Sequence, residues 1–242
     1  MTQDQIRFKN LLEFGKKLRN RYLHAVASRK LFDEFNKLSA INIVGKKKAN
    51  ANVKIFNFYK YFFLTSKEAL RCYFLIELAK FFDEDKRKQS LTIEYVISYA
   101  EKRVESFSID EFHKYHNDLD ILPELFKDFK VLKNNDLYKI KKRLNKNNDV
   151  IKRLKKYRDR FLAHDDIKKK DILINKEDIN ILLKITKDVI NLIHRKLEFS
   201  TIIYKNYEEE PVYEINRLIQ ALKEYEVQRI VNIEKKYGIN IK

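Results

Sequence analysis

The apolar and polar positions of the chain read as helices throughout. Residues about 4–38 predict a first charged helix that ends before Ile41-Asn42-Ile43-Val44-Gly45, and Lys46–Asn50 reads as a solvated loop. From Val53 to Phe82 comes an aromatic centre that includes Phe56, Tyr59, Phe63, Phe74, Phe81 and Phe82. Thr65 and Glu68 have capping-box spacing, so either a new helix starts there or one helix runs through. Between 69 and 82 apolar residues cover nearly every face, the mark of a helix surrounded by others.

After a break at Asp83-Glu84-Asp85-Lys86, Ser90 is the expected N-cap of a short helix through Val104. Ser108 with Glu111 predicts another helix, ending near Pro123. A long basic helical region is expected from Asp136 to Ala163, weakest at Asn147-Asn148, followed by a loop over Asp165–Leu173. Asn175 with Asp178 then opens the best amphipathic helix, with the stripe Ile179, Leu182, Leu183, Thr186, Val189, Ile190 and Ile193. Glu208–Pro211 is expected to interrupt, and a last helix to run from Val212 to Lys236. The domain reading is one helical body over 1–200 and a helical extension over 201–242.

Composition narrows the function. The 242 residues contain three Gly and two Pro, too few for an all-β sandwich with its regular turns. No Gly-rich phosphate loop of either common pattern is present. One cysteine, Cys72, excludes an internal disulfide and a cysteine-based zinc site. Neither a signal-like apolar run nor a membrane span is expected, because the most apolar stretch, 69–82, is short and carries Arg71 and Glu77. The cytoplasm is the expected compartment, and no cofactor is called for.

Charge changes the picture most. The formal net charge is +17, and residues 133–170 hold fifteen Lys+Arg against five Asp+Glu, a net of +10. Such clustering is the footprint of a phosphate-backbone binder, although a solvated lysine-rich surface gives the same count. Within it stands Lys155-Lys156-Tyr157-Arg158-Asp159-Arg160-Phe161-Leu162-Ala163-His164-Asp165-Asp166.

This segment resembles the signature of HEPN domains: Arg, a polar residue, then His after four to six intervening positions. Arg158, Asp159 and His164 fit, whereas Arg160 stands too close to the histidine. The form Arg-Asp-Arg-x-x-Ala-His-x-Asp, with the helix Ala69–Asp83 and Ser90-Leu91 after it, is similar to the abortive-infection AbiU-like branch. The resemblance covers roughly residues 10–200. It implies an all-α, HEPN-like helical bundle with an additional C-terminal helix, and a homodimer whose Arg and His side chains share one cleft. It further implies a metal-independent endoribonuclease of an antiphage or toxin system, with RNA as substrate; such an enzyme endangers its host, so an inhibitory or regulatory protein partner or a triggered conformation is expected. Some members only bind RNA or partners, so a noncatalytic binding protein is the alternative. A third possibility is an interaction scaffold whose lysines reflect genome bias.

On a straight helix Val150, Leu154, Tyr157 and Phe161 form one apolar stripe, and Arg158 and His164 stand about 120° apart. They can face one site if the helix bends or ends between them, or if they meet across a dimer. Lys152, Lys156, Arg160 and His164 share a face by i, i+4 spacing. With Arg153 and Lys155 these cations are the candidate RNA-binding residues. The chemistry needs proton transfer, which suits histidine, and charge stabilisation on phosphorus, which suits arginine. The RNA supplies the nucleophile, its own 2′-hydroxyl, and Asp159 would orient or screen Arg158. The alternative reading is that His164 only caps a helix end near Asp165 and Asp166.

Other residues receive plainer readings. His113 and His116 with Asp118 and Asp120 have the spacing of a partial metal site, but surface roles are expected, and no metal is assigned. His24 is expected to be structural and His194 to sit at a helix C-terminus. Glu77, a carboxylate in an apolar helix, needs a partner or a position at the cleft to offset desolvation, and a salt bridge with a Lys or Arg is expected over a direct part in the site. Tyr138 and Tyr157 could stack on bases. The acidic run Glu208–Glu210 is a candidate autoinhibitory segment.

Overall fold

The computed structural model describes residues 1–84, 90–116, 131–162, 173–198, 200 and 202–238. The expected helix end near Pro123 and the loop expected over 165–172 lie outside the described residues. Among the described residues there are ten α-helices and no strand, so the protein is all-α. They are α1 (Gln3–Leu38), α2 (Ile41–Val44), α3 (Lys46–Phe58), α4 (Lys60–Phe81), α5 (Ile93–Glu101), α6 (Ile109–Tyr115), α7 (Asn134–Lys146), α8 (Asn148–Tyr157), α9 (Lys176–Leu197) and α10 (Lys205–Tyr237). The chain divides into two compact units, Met1–Ala25 with Leu75–Ile203, and Val26–Phe74 with Tyr204–Lys242.

The first unit carries the basic segment. Phe8 of α1 is buried and meets Phe107, Phe112 and Tyr115 at ring-centroid distances of 5.2–6.4 Å, most of them tilted or edge-on. Asn175 caps α9 as expected, its Oδ1 accepting from the Asp178 N–H at 2.7 Å. The expected stripe of α9 is buried at Leu182, Thr186, Val189, Ile190 and Ile193, and extends to His194 and Leu197. Ser108 caps α6, accepting from the Glu111 N–H at 3.2 Å. The cap of α5 is Thr92 rather than Ser90, with Oγ1 accepting from the Tyr95 N–H at 3.1 Å. This later start puts Ile93, Val96, Ile97 and Ala100 on one buried face.

Glu77 has the cationic partners its position requires. Arg21 Nε donates to it at 3.0 Å and Lys80 Nζ at 2.7 Å, while Arg21 Nη1 also reaches the Leu91 carbonyl at 2.9 Å. Burial pushes the Glu77 carboxyl up, but the bonds from Lys80 and Arg21 more than offset it and hold the group below its ordinary value. The ionised form therefore stabilises the fold above the unfolded carboxyl's pKa, and that contribution is lost as pH falls through the lower, folded value. Acid titration of the melting temperature should show a fall below about pH 4.5 that is shallower in Glu77→Gln; parallel curves would show that this carboxylate is not linked to folding.

Gly15 is required by close approach. A Cβ placed there would stand 2.6 Å from Cγ2 of Ile193, which is buried. Gly15→Ala is expected to lower the melting temperature, because overpacking costs about 1–3 kcal/mol and exceeds the roughly 1 kcal/mol gained in helix propensity. A higher melting temperature would show that α9 yields at no cost.

In the second unit Phe35, Leu38, Ile55, Phe63, Ile215 and Ile219 form a core of residues from α1, α3, α4 and α10. Asn52 is buried and its Nδ2 donates to the Leu38 carbonyl at 2.7 Å, satisfying an orphan acceptor at the end of α1. Tyr59 donates its hydroxyl proton to Glu226 at 2.7 Å, and Arg229 pairs with the same carboxylate at 2.8 Å. Two expectations are corrected here, and one alternative is decided. Lys46–Asn50 is not a loop but the first turns of α3, set off by Gly45 at φ +80°; its lysines are exposed while Ala49 and Asn52 supply the buried face. At Thr65 the second of the two alternatives holds, since α4 runs through it. Pro211 does not interrupt but lies inside α10, where Pro211, Ile215 and Ile219 are buried at four-residue spacing. That packing offsets the hydrogen bond the proline forfeits.

Candidate functional site

The basic segment forms two short helices joined at Asn147, the expected weak point. Asn147 Nδ2 donates to the Arg143 carbonyl at 2.8 Å and closes α7, and α8 begins at the next residue. Ile151 and Leu154 anchor α8 in the first unit, with Val150 and Tyr157 half-buried. The expected stripe is thus shifted by one position at its start, from Val150 to Ile151; the Phe161 side chain lies outside the described residues.

At Arg158 the helix changes character. Residues Arg158–Leu162 form a π-helical turn, in which the hydrogen bonds run i→i+5 instead of i→i+4. Widened turns of this kind rotate everything downstream relative to a regular α-helix, and they are frequent at functional sites. The α-helical alignment of Lys152, Lys156, Arg160 and His164 therefore holds only for Lys152 and Lys156. Both of these are exposed, and neither forms an ion pair among the described residues. Arg160 is half-buried within the widened turn. His164 lies outside the described residues.

Arg158 is held on two sides. Its Nη1 donates to both carboxylate oxygens of Asp83, each at 2.6 Å, and its Nε donates to Asp159 Oδ1 at 2.8 Å. The side chain of Arg158 is 20% exposed and that of Asp83 27%. Burial works against the guanidinium charge, but Asp83 and then Asp159 more than compensate and raise its pKa above the ordinary arginine value. The group is a permanent cation with its fork fixed in place.

Two other predicted cations are also tied down. Lys155 pairs with Glu84 at 3.2 Å, and Arg153 pairs with Asp178 of α9 at 2.7 Å. Asp83 and Glu84 thus grip two side chains three residues apart on the basic segment. Asp83 attracts notice in the sequence as an acid closing an apolar helix, whereas nothing local marks Glu84. The second role of Asp178 is likewise hidden, since its cap spacing already accounts for it.

Two of the remaining histidines, His116 and His194, are held by contacts within the first unit. His116 Nε2 donates to the Leu197 carbonyl at 2.8 Å and its ring packs 4.4 Å from Phe112. It is thus no free surface residue, and Asp118 and Asp120 lie outside the described residues. His194 is fully buried in the last turn of α9, with Nδ1 on Glu198. That bond is the main reason the Glu198 carboxyl is held below its ordinary value. His24 is exposed on α1. Cys72 is half-buried and bonds to Glu68 at 3.3 Å. Tyr138 is 63% exposed, so it is accessible for stacking. Among the described residues no group of three or more His, Cys, Asp or Glu could hold a metal ion, and no helix is long and apolar enough to cross a membrane.

No curated protein and no solved structure matches the chain. The family model HEPN_AbiU2, described as AbiU2, matches residues 8–218, which takes in α4, the Asp83–Arg158 contact and the whole Arg158–His164 segment. With most of its length matched, the chain belongs to the AbiU2 family of HEPN proteins.

Proposed function

We propose that the protein is a metal-independent endoribonuclease of an antiphage or toxin system, acting in the cytoplasm as a homodimer under the control of a regulatory partner. The observation that carries this reading is Arg158, fixed by Asp83 and Asp159 at the start of a widened helical turn inside the Arg158–His164 motif. A fixed arginine is suited to charge developing on a pentavalent phosphorus. His164 moves the proton of the attacking 2′-hydroxyl and of the leaving 5′-oxygen. Lys152, Lys156 and Arg160 supply backbone affinity, which falls as salt rises. The test is cleavage of total RNA in EDTA by the wild type and by His164→Ala. Discrete fragments from the wild type alone support the reading, and equal cleavage by both contradicts it.

A second reading, an RNA-binding or partner-binding protein without catalysis, is favoured by the same contact. Nη1 and Nε of Arg158 already face carboxylates, which leaves the fork few donors for a phosphate. Retained RNA affinity without cleavage by the wild type or by an Asp83→Asn variant would establish it.

A further inference from the structure

Beside the Arg158 contact lies a hollow of about 380 Å³, formed by the end of α4, α5, α7 and α8. We infer that it is a subsite for one unpaired RNA base, and that it prefers adenine or cytosine, whose amine stands at C6 or C4, over uracil, which carries a carbonyl oxygen at C4. The inference rests on the RNA-directed reading above and adds a specificity element to it.

Size and lining point to a single flat ring system. Ligand pockets run from about 300 to 1,000 Å³, so this one is at the small end. Its floor is apolar, built from Phe81, Phe82, Ile93 and Ile97, all buried. Its rim is polar: Asn145 lies in the last turn of α7, Asn148 opens α8, and Glu94 stands in the first turn of α5. All three are exposed, and their side chains have no hydrogen-bond or ion-pair partner among the described residues. An apolar floor takes the face of a base, and side-chain amides and a carboxylate read its edge. A carboxylate accepts from the amine of cytosine or adenine, whereas the uracil O4 is itself an acceptor and is repelled. Both lysines of the lining are already paired, Lys141 with Glu101 and Lys155 with Glu84, so an anionic ligand would face Glu94 without a cation to offset it, and an aliphatic one would leave the amides unused.

Position supplies the second argument. Lys155 and Glu84 line the hollow and pair with each other, and Asp83, next to Glu84 in sequence, pairs with Arg158, three residues after Lys155. The two ion pairs join the same two segments, so a base in the hollow belongs to a nucleotide whose phosphate approaches Arg158. The surrounding segment has the net charge of +10 that holds the rest of the strand.

The experiment measures binding of the hexaribonucleotides rA6, rC6 and rU6 to the full-length His164→Ala protein, which binds without cutting. The same measurement is made with Glu94→Gln and with Asn145→Ala/Asn148→Ala added. Expected is rA6 or rC6 binding about tenfold more tightly than rU6, with the ratio falling to within about twofold in the added variants while the salt dependence stays the same. The three rim residues are exposed, so circular dichroism should show the variants folded. Equal affinity for all three RNAs, or a ratio that the rim variants leave unchanged, would overturn the base subsite while leaving the ribonuclease reading intact. Absence of binding to any RNA would overturn both. Base preference without cleavage by the wild type would uphold the subsite and sink the catalytic role alone.

Discussion

His164→Ala should lower RNA cleavage by about 10²–10⁴-fold, the contribution of a positioned general acid–base, while RNA affinity changes by less than about threefold. The expectation follows from the division of labour in the proposed site. In that proposal exposed Lys152 and Lys156 would supply backbone attraction, and such contacts do not depend on a proton acceptor at 164. Loss of affinity in step with activity would show that the histidine holds RNA rather than moving protons. Full activity in the variant would mean that the chemistry lies elsewhere. Rates under single-turnover conditions, with binding by anisotropy, separate these outcomes.

Arg158→Ala should cost about 10²–10³-fold in cleavage, the loss seen when one preorganised donor to a developing anion is removed. Arg158→Lys should recover little of it. The native guanidinium meets Asp83 through Nη1 and Asp159 through Nε at the same time. A lysine ammonium is a point charge without that fork, so it can satisfy one carboxylate but cannot reproduce the orientation. Asp83→Asn provides the control that a merely structural arginine would fail. It removes the charge that fixes Nη1, so kcat should fall while the KM for RNA holds or improves as the freed cation becomes available to phosphate. Wild-type kcat in Asp83→Asn, together with wild-type kcat in Arg158→Lys, would remove Arg158 from the chemistry. Thermal unfolding of each variant checks that the loss is not one of folded protein.

Much of the architecture was legible from local pattern. α9 was readable end to end, because its cap Asn175, its stripe through Ile193 and its basic last turn agree with one another. The break at Asn147 and the cap at Ser108 were readable for the same reason. Where tertiary packing outranked a local signal, the pattern misled. Pro211 is a strong breaker in isolation, and only its burial with Ile215 and Ile219 keeps it inside α10. Lys46–Asn50 looks like a solvated loop until Ala49 and Asn52 find a core. At the candidate site the motif Arg158–His164 and the surrounding charge were legible. Its geometry was not, since the π-helical turn at Arg158 leaves no composition signature, and the partners of Arg158, Lys155 and Arg153 come from as far as 75 residues away. An i, i+4 rule applied across 152–164 assumes a regular helix, and the widened turn removes that assumption after Tyr157.

The central claim is that RNA itself supplies the nucleophile while the protein supplies an arginine and a histidine. It is tested most directly by the chemistry of the cut ends, with RNA fragments generated by the wild-type protein in EDTA and their termini mapped by enzymatic end-labelling and mass spectrometry. The account predicts 2′,3′-cyclic phosphate and 5′-hydroxyl ends, formed by the wild type and absent with His164→Ala. Fragments with 3′-hydroxyl and 5′-phosphate ends, or cleavage that appears only when a divalent metal is restored, would contradict it.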